Sequence, residues 1–160
     1  MVAPTSISRL IGLIPAAGSG SRFGGALPKQ YVEILGEPLL VHAVRALAAD
    51  RRVETVYIVL APDDERFRTI DWRNLAPRVV SLYCGGGSRR DSVHNGLIAV
   101  SDAIELDDWV LVHDAARPCL SARDLDSLLL MPSQEQLRRE KLEGLRVSRS
   151  DAETREGYAS

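Results

Sequence analysis

LIGLIPAAGSGSRFGGALPKQY, residues Leu10–Tyr31, joins a short apolar run to a long glycine-rich loop. Leu10–Ile14 is long enough for a buried strand and too short for a helix of its own. The run breaks at Pro15, and Gly18, Gly20, Gly24 and Gly25 then alternate with Ser19, Ser21, Arg22 and Lys29. Glycines let backbone N–H groups approach a ligand, and Arg and Lys supply the positive charge that a phosphate chain attracts. A strand feeding such a loop outlines a phosphate or nucleotide site.

Downstream, the same unit repeats. Tyr31–Leu35 reads as a short extended piece and Gly36-Glu37-Pro38 as a turn, before Leu39–Ala49 shows apolar residues at helical spacing. His42 in that helix reads as a packed or surface histidine, because no acidic or histidine partner stands one turn away. Val53–Leu60 is a β-branched run that predicts a second buried strand. Short helical pieces and loop are expected over 63–78. Val79–Tyr83 is a third strand, ending in Cys84-Gly85-Gly86-Gly87-Ser88, with Ser88 as N-cap of a helix over Arg89–Val100. Trp109–His113 is a fourth strand, followed by Asp114-Ala115-Ala116-Arg117-Pro118 and a helix from Ser121 to Met131. Strands alternating with helices predict an α/β domain with a mainly parallel sheet. Such sheets bind ligands beyond the carboxyl ends of their strands. Three of these ends carry chemistry: 16–29, 85–92 and 114–117.

Composition narrows the function. With 160 residues, 45% hydrophobic and net charge −2, the chain suits one soluble domain without a nucleic-acid-binding face. No eighteen apolar residues run together and the N-terminus has no apolar signal core, so a cytoplasmic location and no membrane partner are expected. Cys84 and Cys119 form no C-x-x-C pair and read as free thiols.

Two common phosphate motifs fail. Gly20 and Gly25 have P-loop spacing, but Ala26-Leu27 follows where Lys and Ser or Thr belong. Gly18 and Gly20 begin a dinucleotide fingerprint, but Phe23 stands at the third glycine and Pro28 interrupts the segment that should be helical. A long basic loop remains, with Arg22 and Lys29 able to flank one phosphorus. Phosphoryl or nucleotidyl transfer needs cations there because charge builds on the non-bridging oxygens. Asp114 is the acidic group suited to position Mg²⁺ or a hydroxyl; its structural alternative is a cap on the loop before Pro118.

The blocks Pro15–Arg22, Pro28-Lys29-Gln30-Tyr31, Arg89–Val93 and His113–Pro118 resemble, in order and spacing, those of the 2-C-methyl-D-erythritol 4-phosphate cytidylyltransferase family, over about residues 10–130. The resemblance implies a Rossmann-like nucleotidyltransferase (GT-A-like) fold. It also implies that CTP and methylerythritol phosphate react to the CDP-alcohol and pyrophosphate, with Mg²⁺ or another divalent cation, in non-mevalonate isoprenoid biosynthesis. Arg22 and Lys29 would then be catalytic, stabilising the transition state. Ala16, Ala17 and Gly18 would meet the nucleotide through the backbone, and Gly86, Gly87 and Ser92 would read the cytosine edge. Asp114, Ala115 and Arg117 would line the ribose, metal and acceptor region, with Asp114 as the metal ligand. Gly87 departs from the family, which usually has an acidic residue there.

The tail departs further. The family is homodimeric through a projecting β-arm, and no such arm is found in this sequence. Residues 1–131 are expected to form the nucleotidyltransferase domain. Residues 132–160 are expected to form an atypical charged tail, truncated, deleted or frameshifted, with a narrow leucine stripe on a helix over 134–146. Two alternatives follow: a catalytically impaired CTP-binding remnant, or a cytidylyltransferase for another alcohol phosphate such as ribitol 5-phosphate.

Overall fold

A computed structural model of the chain describes residues 9–19, 27–75 and 77–129. Arg22, the leucine stripe and any β-arm thus lie outside the described residues. Two compact units divide the chain, Met1–Ala122 and Arg123–Ser160.

The first strand, β1 (Leu10–Pro15), is buried along almost its whole length, as its apolar run predicts. The expected turn lies one residue early: β2 (Glu33–Ile34) and β3 (Glu37–Pro38) form a small antiparallel hairpin around Leu35 and Gly36. Both turn residues have positive φ, 55° at Leu35 and 81° at Gly36, the twist that a two-residue hairpin requires. A leucine there costs about 1 kcal/mol, and nothing in an apolar Val-Glu-Ile-Leu run announces it. His42 bonds the Ile34 carbonyl at 2.8 Å, so its role is structural, as read from the sequence.

The first helix, α1 (Leu39–Ala48), buries Leu40, Ala43, Val44 and Leu47 as one stripe. Next come β4 (Val53–Val59), a 3₁₀ turn over Arg66–Thr69, β5 (Val79–Leu82), α2 (Arg89–Ala99) and β6 (Trp109–Val112). The helix α3 (Ala122–Leu129) follows. The short helical piece expected in 63–78 is the 3₁₀ turn, steadied by Phe67 stacked on Trp72 with ring centres 4.9 Å apart.

All four long strands are parallel, in the order β5-β4-β1-β6. Helices cover both faces of β1, because successive residues of a strand point to opposite faces. On one face Gly12 has no side chain, and Leu47 of α1 lies 3.2 Å from where a Cβ would be. On the other, Gly96 of α2 lets the helix close on Leu13 and Val59. The residues of α2 buried against the sheet are Ser92 and Gly96, one turn apart, so small size rather than an apolar stripe seats this helix.

The amino ends of the strands are tied by charge. Asp108 accepts from the Arg9 backbone at 3.0 Å and from its guanidinium at 2.5–3.2 Å. Burial alone would raise the Asp108 carboxyl. The bonds from Arg9 and from the Glu105 N–H outweigh it and hold the group below the usual carboxylate range. Arg78 forks onto the carbonyls of Ala48, Asp50 and Val53.

Candidate nucleotide site

The chain leaves β1 for β4 and β5 on one side, then returns to β6 on the other. The carboxyl ends of β1 and β6 therefore flank the point where strand order reverses, the usual ligand crevice of such sheets. Ala16–Ser19 issues from one lip and His113–Arg117 from the other.

Ala16 is buried and its N–H still bonds Val59 at 2.7 Å, extending the sheet by one residue. Ala17 is half-buried and Gly18 exposed, with open space where a Gly18 side chain would stand. The loop after β5 comes against this segment. The Gly85 N–H bonds Leu60 at 2.8 Å, and a Cβ on Gly85 would run into the Cβ of Ala17 and the Leu60 carbonyl. A Cβ on Gly86 would likewise strike Asp91, whereas Gly87 faces open space. The three glycines after the strand thus differ: two are required by close approach, and the third, Gly87, is exposed with open space around it.

The N-cap reading of Ser88 holds, since its Oγ accepts from the Asp91 N–H at 3.1 Å and donates to the Asp91 carboxylate at 2.7 Å. Ser92 is buried; its Oγ accepts from the Gly86 N–H at 3.1 Å and donates to the Ser88 carbonyl at 2.9 Å. The Asn95 amide donates to the Cys84 carbonyl at 2.9 Å. Burial raises the Cys84 thiol, which is therefore no ready nucleophile.

On the other lip, the Arg117 N–H closes a turn onto the Asp114 carbonyl at 3.2 Å, and Ala115 is buried beneath it. The Asp114 carboxylate is shared: Oδ2 accepts from Arg117 at 2.9 Å, and Oδ1 from Arg89 at 2.7 Å. Arg89 opens α2, so its bond ties the 85–92 loop to the 114–117 loop. Arg89 stands in a motif that names no contact for it, and the structure supplies one, Asp114.

Lys29 is exposed on a 3₁₀ turn, Lys29–Tyr31. Its two neighbours anchor the turn. Gln30 is buried and donates to Ala16 and Gly18, while the Tyr31 hydroxyl donates to Asp64 at 2.6 Å. Burial first, and then that carboxylate, push the Tyr31 hydroxyl far above the usual phenol range. A cavity of about 600 Å³ opens along the β4 side of the Ala17–Ser19 segment, bounded by Gln30, Tyr31 and Asp64. Neither Gly86, Ser92 nor Asp114 lines it, so it borders the expected nucleotide loops on one flank only. Among the described residues no three His, Cys, Asp or Glu side chains gather as a metal cage.

Comparison with known proteins follows the same lines. A family model described as 2-C-methyl-D-erythritol 4-phosphate cytidylyltransferase (IspD) matches residues 10–139. A protein of that name from Dechloromonas aromatica is 53% identical over 116 residues, covering 72% of this chain and 51% of that protein. Its namesake from Aromatoleum aromaticum is 51% identical over 120 residues, covering 75% of this chain and 52% of the other. Among solved structures, a 4-diphosphocytidyl-2C-methyl-D-erythritol synthase superposes with TM-score 0.69 at 30% identity, over 82% of this chain and 57% of that one. The Francisella tularensis cytidylyltransferase gives TM-score 0.60 at 28% identity, over 79% of this chain and 54% of its own. The α/β fold with a mainly parallel sheet is therefore the nucleotidyltransferase fold that the sequence implied. The chain spans about half the length of the curated relatives it matches.

Proposed function

The chain belongs to the 2-C-methyl-D-erythritol 4-phosphate cytidylyltransferase family, and from that membership we propose that it binds CTP at the carboxyl edge of its sheet and transfers CMP to methylerythritol phosphate. The observation that carries this reading is the meeting of three loops: Ala17 against Gly85, and Asp114 bonded to Arg89.

Ala16, Ala17 and Gly18 meet the nucleotide through their backbone. Gly86, Gly87 and Ser92 read the cytosine edge, and Ser92 also holds that turn in shape through Gly86. A phosphate oxygen of the acceptor attacks the α-phosphorus of CTP in line. The new O–P bond forms as the bond to the β-phosphate breaks, and pyrophosphate leaves with the electron pair. Lys29 and Arg22 are the cations that stabilise charge on the non-bridging oxygens. Asp114, Ala115 and Arg117 line the ribose and acceptor side.

A divalent ion such as Mg²⁺ would be held by Asp114. Each of its oxygens accepts one guanidinium bond and retains a lone pair. A single carboxylate suffices for magnesium, which fills its shell with phosphate oxygens and water. When bound, the ion would withdraw charge from the triphosphate. The free thiols of Cys84 and Cys119 support a cytoplasmic setting. Among the described residues no helix is long and apolar enough to cross a membrane.

A second reading is CTP binding without turnover. Calorimetry with CTP and Mg²⁺, followed by pyrophosphate release with methylerythritol phosphate or ribitol 5-phosphate, separates the readings. Turnover with the first acceptor supports the enzyme, and turnover with ribitol 5-phosphate alone reassigns the acceptor. Binding alone supports the second reading, and no CTP binding overturns both.

A further inference from the structure

We infer that Gln30 is the positioning residue of this site: its side-chain amide sets the direction of the backbone N–H groups of Ala17 and Ser19 and fixes Lys29 relative to them. The inference rests on the reading of Ala16–Gly18 as the nucleotide segment.

Gln30 is only 6% exposed, although its predecessor Lys29 lies in solvent. Its Nε2 reaches the carbonyl oxygen of Ala16 at 2.7 Å and that of Gly18 at 3.0 Å. A primary amide nitrogen has two hydrogens, and both have an acceptor here. The amide cannot be turned over, because its oxygen would then face two carbonyl oxygens.

Peptide planarity carries the effect through the backbone. In a trans peptide the N–H of each residue points opposite to the preceding carbonyl. Drawing the carbonyls of Ala16 and Gly18 toward Gln30 therefore turns the N–H groups of Ala17 and Ser19 directly away from it. One neutral side chain thus orients two donors of a loop that has no helix or strand to orient them. Gln30 itself is held by the neighbouring anchor, since Asp64 accepts the Tyr31 hydroxyl on one oxygen and the N–H groups of Arg66 and Phe67 on the other. Lys29 directly precedes Gln30 in the same turn, so its distance from the segment is set by the same bonds.

Glutamate would have the right length and the wrong charge, with a carboxylate facing two carbonyl oxygens. Methionine would keep the volume and lose both donors. CTP affinity of wild type, Gln30→Glu and Gln30→Met is to be measured by calorimetry at pH 7.5 and pH 5.5, with thermal unfolding alongside. Both variants are expected to bind CTP at least tenfold more weakly than wild type at pH 7.5. For Gln30→Glu the gap should narrow at pH 5.5, because burial beside carbonyl oxygens favours the protonated acid, which donates one of the two bonds. For Gln30→Met it should not narrow. A variant that loses thermal stability yet keeps wild-type affinity, or a gap that ignores pH in Gln30→Glu, would reduce Gln30 to packing and overturn the inference. If Gln30→Glu does not fold, Gln30→Met carries the affinity test. If wild type binds no CTP, the functional reading falls separately. Positioning is then read from backbone NMR order parameters: lower values at Ala17 and Ser19 in Gln30→Met than in wild type support it, and unchanged values overturn it.

Discussion

At the amino ends of the strands, charged side chains hold the backbone; at the carboxyl ends, neutral ones share that task with Asp64. Asp108 is buried, its side chain 3% exposed, with Arg9 across it, and Arg78 holds three carbonyls. On the opposite edge Gln30, Ser92 and Asn95 hold the loops. The ionic groups there, Arg89, Asp114 and Arg117, bond one another at the surface, 60%, 31% and 76% exposed. A charge locked into architecture is unavailable to a ligand. An edge that presents its charges to phosphate therefore leaves much of the holding of its backbone to amides and hydroxyls.

This contrast can be broken at several points. Lys29→Ala removes an exposed charge that this reading assigns to the triphosphate. Pyrophosphate release should fall about 100- to 1,000-fold, as for loss of one transition-state donor, while the melting temperature stays within a few degrees. A large drop in melting temperature with turnover retained would place Lys29 among the holding groups instead. Gly85→Ala tests whether the two nucleotide loops must touch. The added Cβ has no room beside Ala17 and Leu60, so a stability loss of about 1–3 kcal/mol is expected, with CTP affinity down about tenfold. Wild-type behaviour in both would remove the contact from the argument.

Asp108→Asn probes the opposite edge. Stability should drop by roughly 2 kcal/mol, the scale of lost charged hydrogen bonds, with CTP affinity unchanged. The pH dependence has a definite sign. A carboxylate held below its ordinary range stabilises the fold fully above about pH 4 and loses that contribution as pH falls through its folded value. The difference in melting temperature between wild type and Asp108→Asn should therefore shrink on acidification below about pH 4. A difference that grows instead would mean the carboxyl is strained by burial rather than held by Arg9.

Much of this was legible beforehand, for definite reasons. Four β-branched or apolar runs alternating with helical patterns dictate parallel strands, because each helical crossover returns the chain to the same end of the sheet. Ser88 announced its cap by position, three residues before Asp91. The hairpin was displaced because Leu35 adopts a conformation that its type disfavours. Gln30 stood in a motif block without a role, because only the fold turns its amide toward Ala16 and Gly18. Ser92, read as a contact to the cytosine edge, also bonds the loop itself through Gly86 and Ser88, which a one-dimensional pattern does not display. The expected contacts of Gly18, Gly86, Gly87, Asp114, Ala115 and Arg117 with substrate remain proposals, and Arg22 lies outside the described residues.

One pairing also bears on time. Leu10 of β1 lies beside Trp109 of β6, and the Arg9–Asp108 bonds next to them join residues 99 positions apart. Bringing such distant segments together must overcome loop-closure entropy before any contact rewards it, and this slows folding. The crevice between β1 and β6 is therefore completed late. During synthesis the glycine-rich loop leaves the ribosome long before its opposite lip exists. Its capacity for nucleotide should return, in refolding, no sooner than the native fluorescence of Trp109.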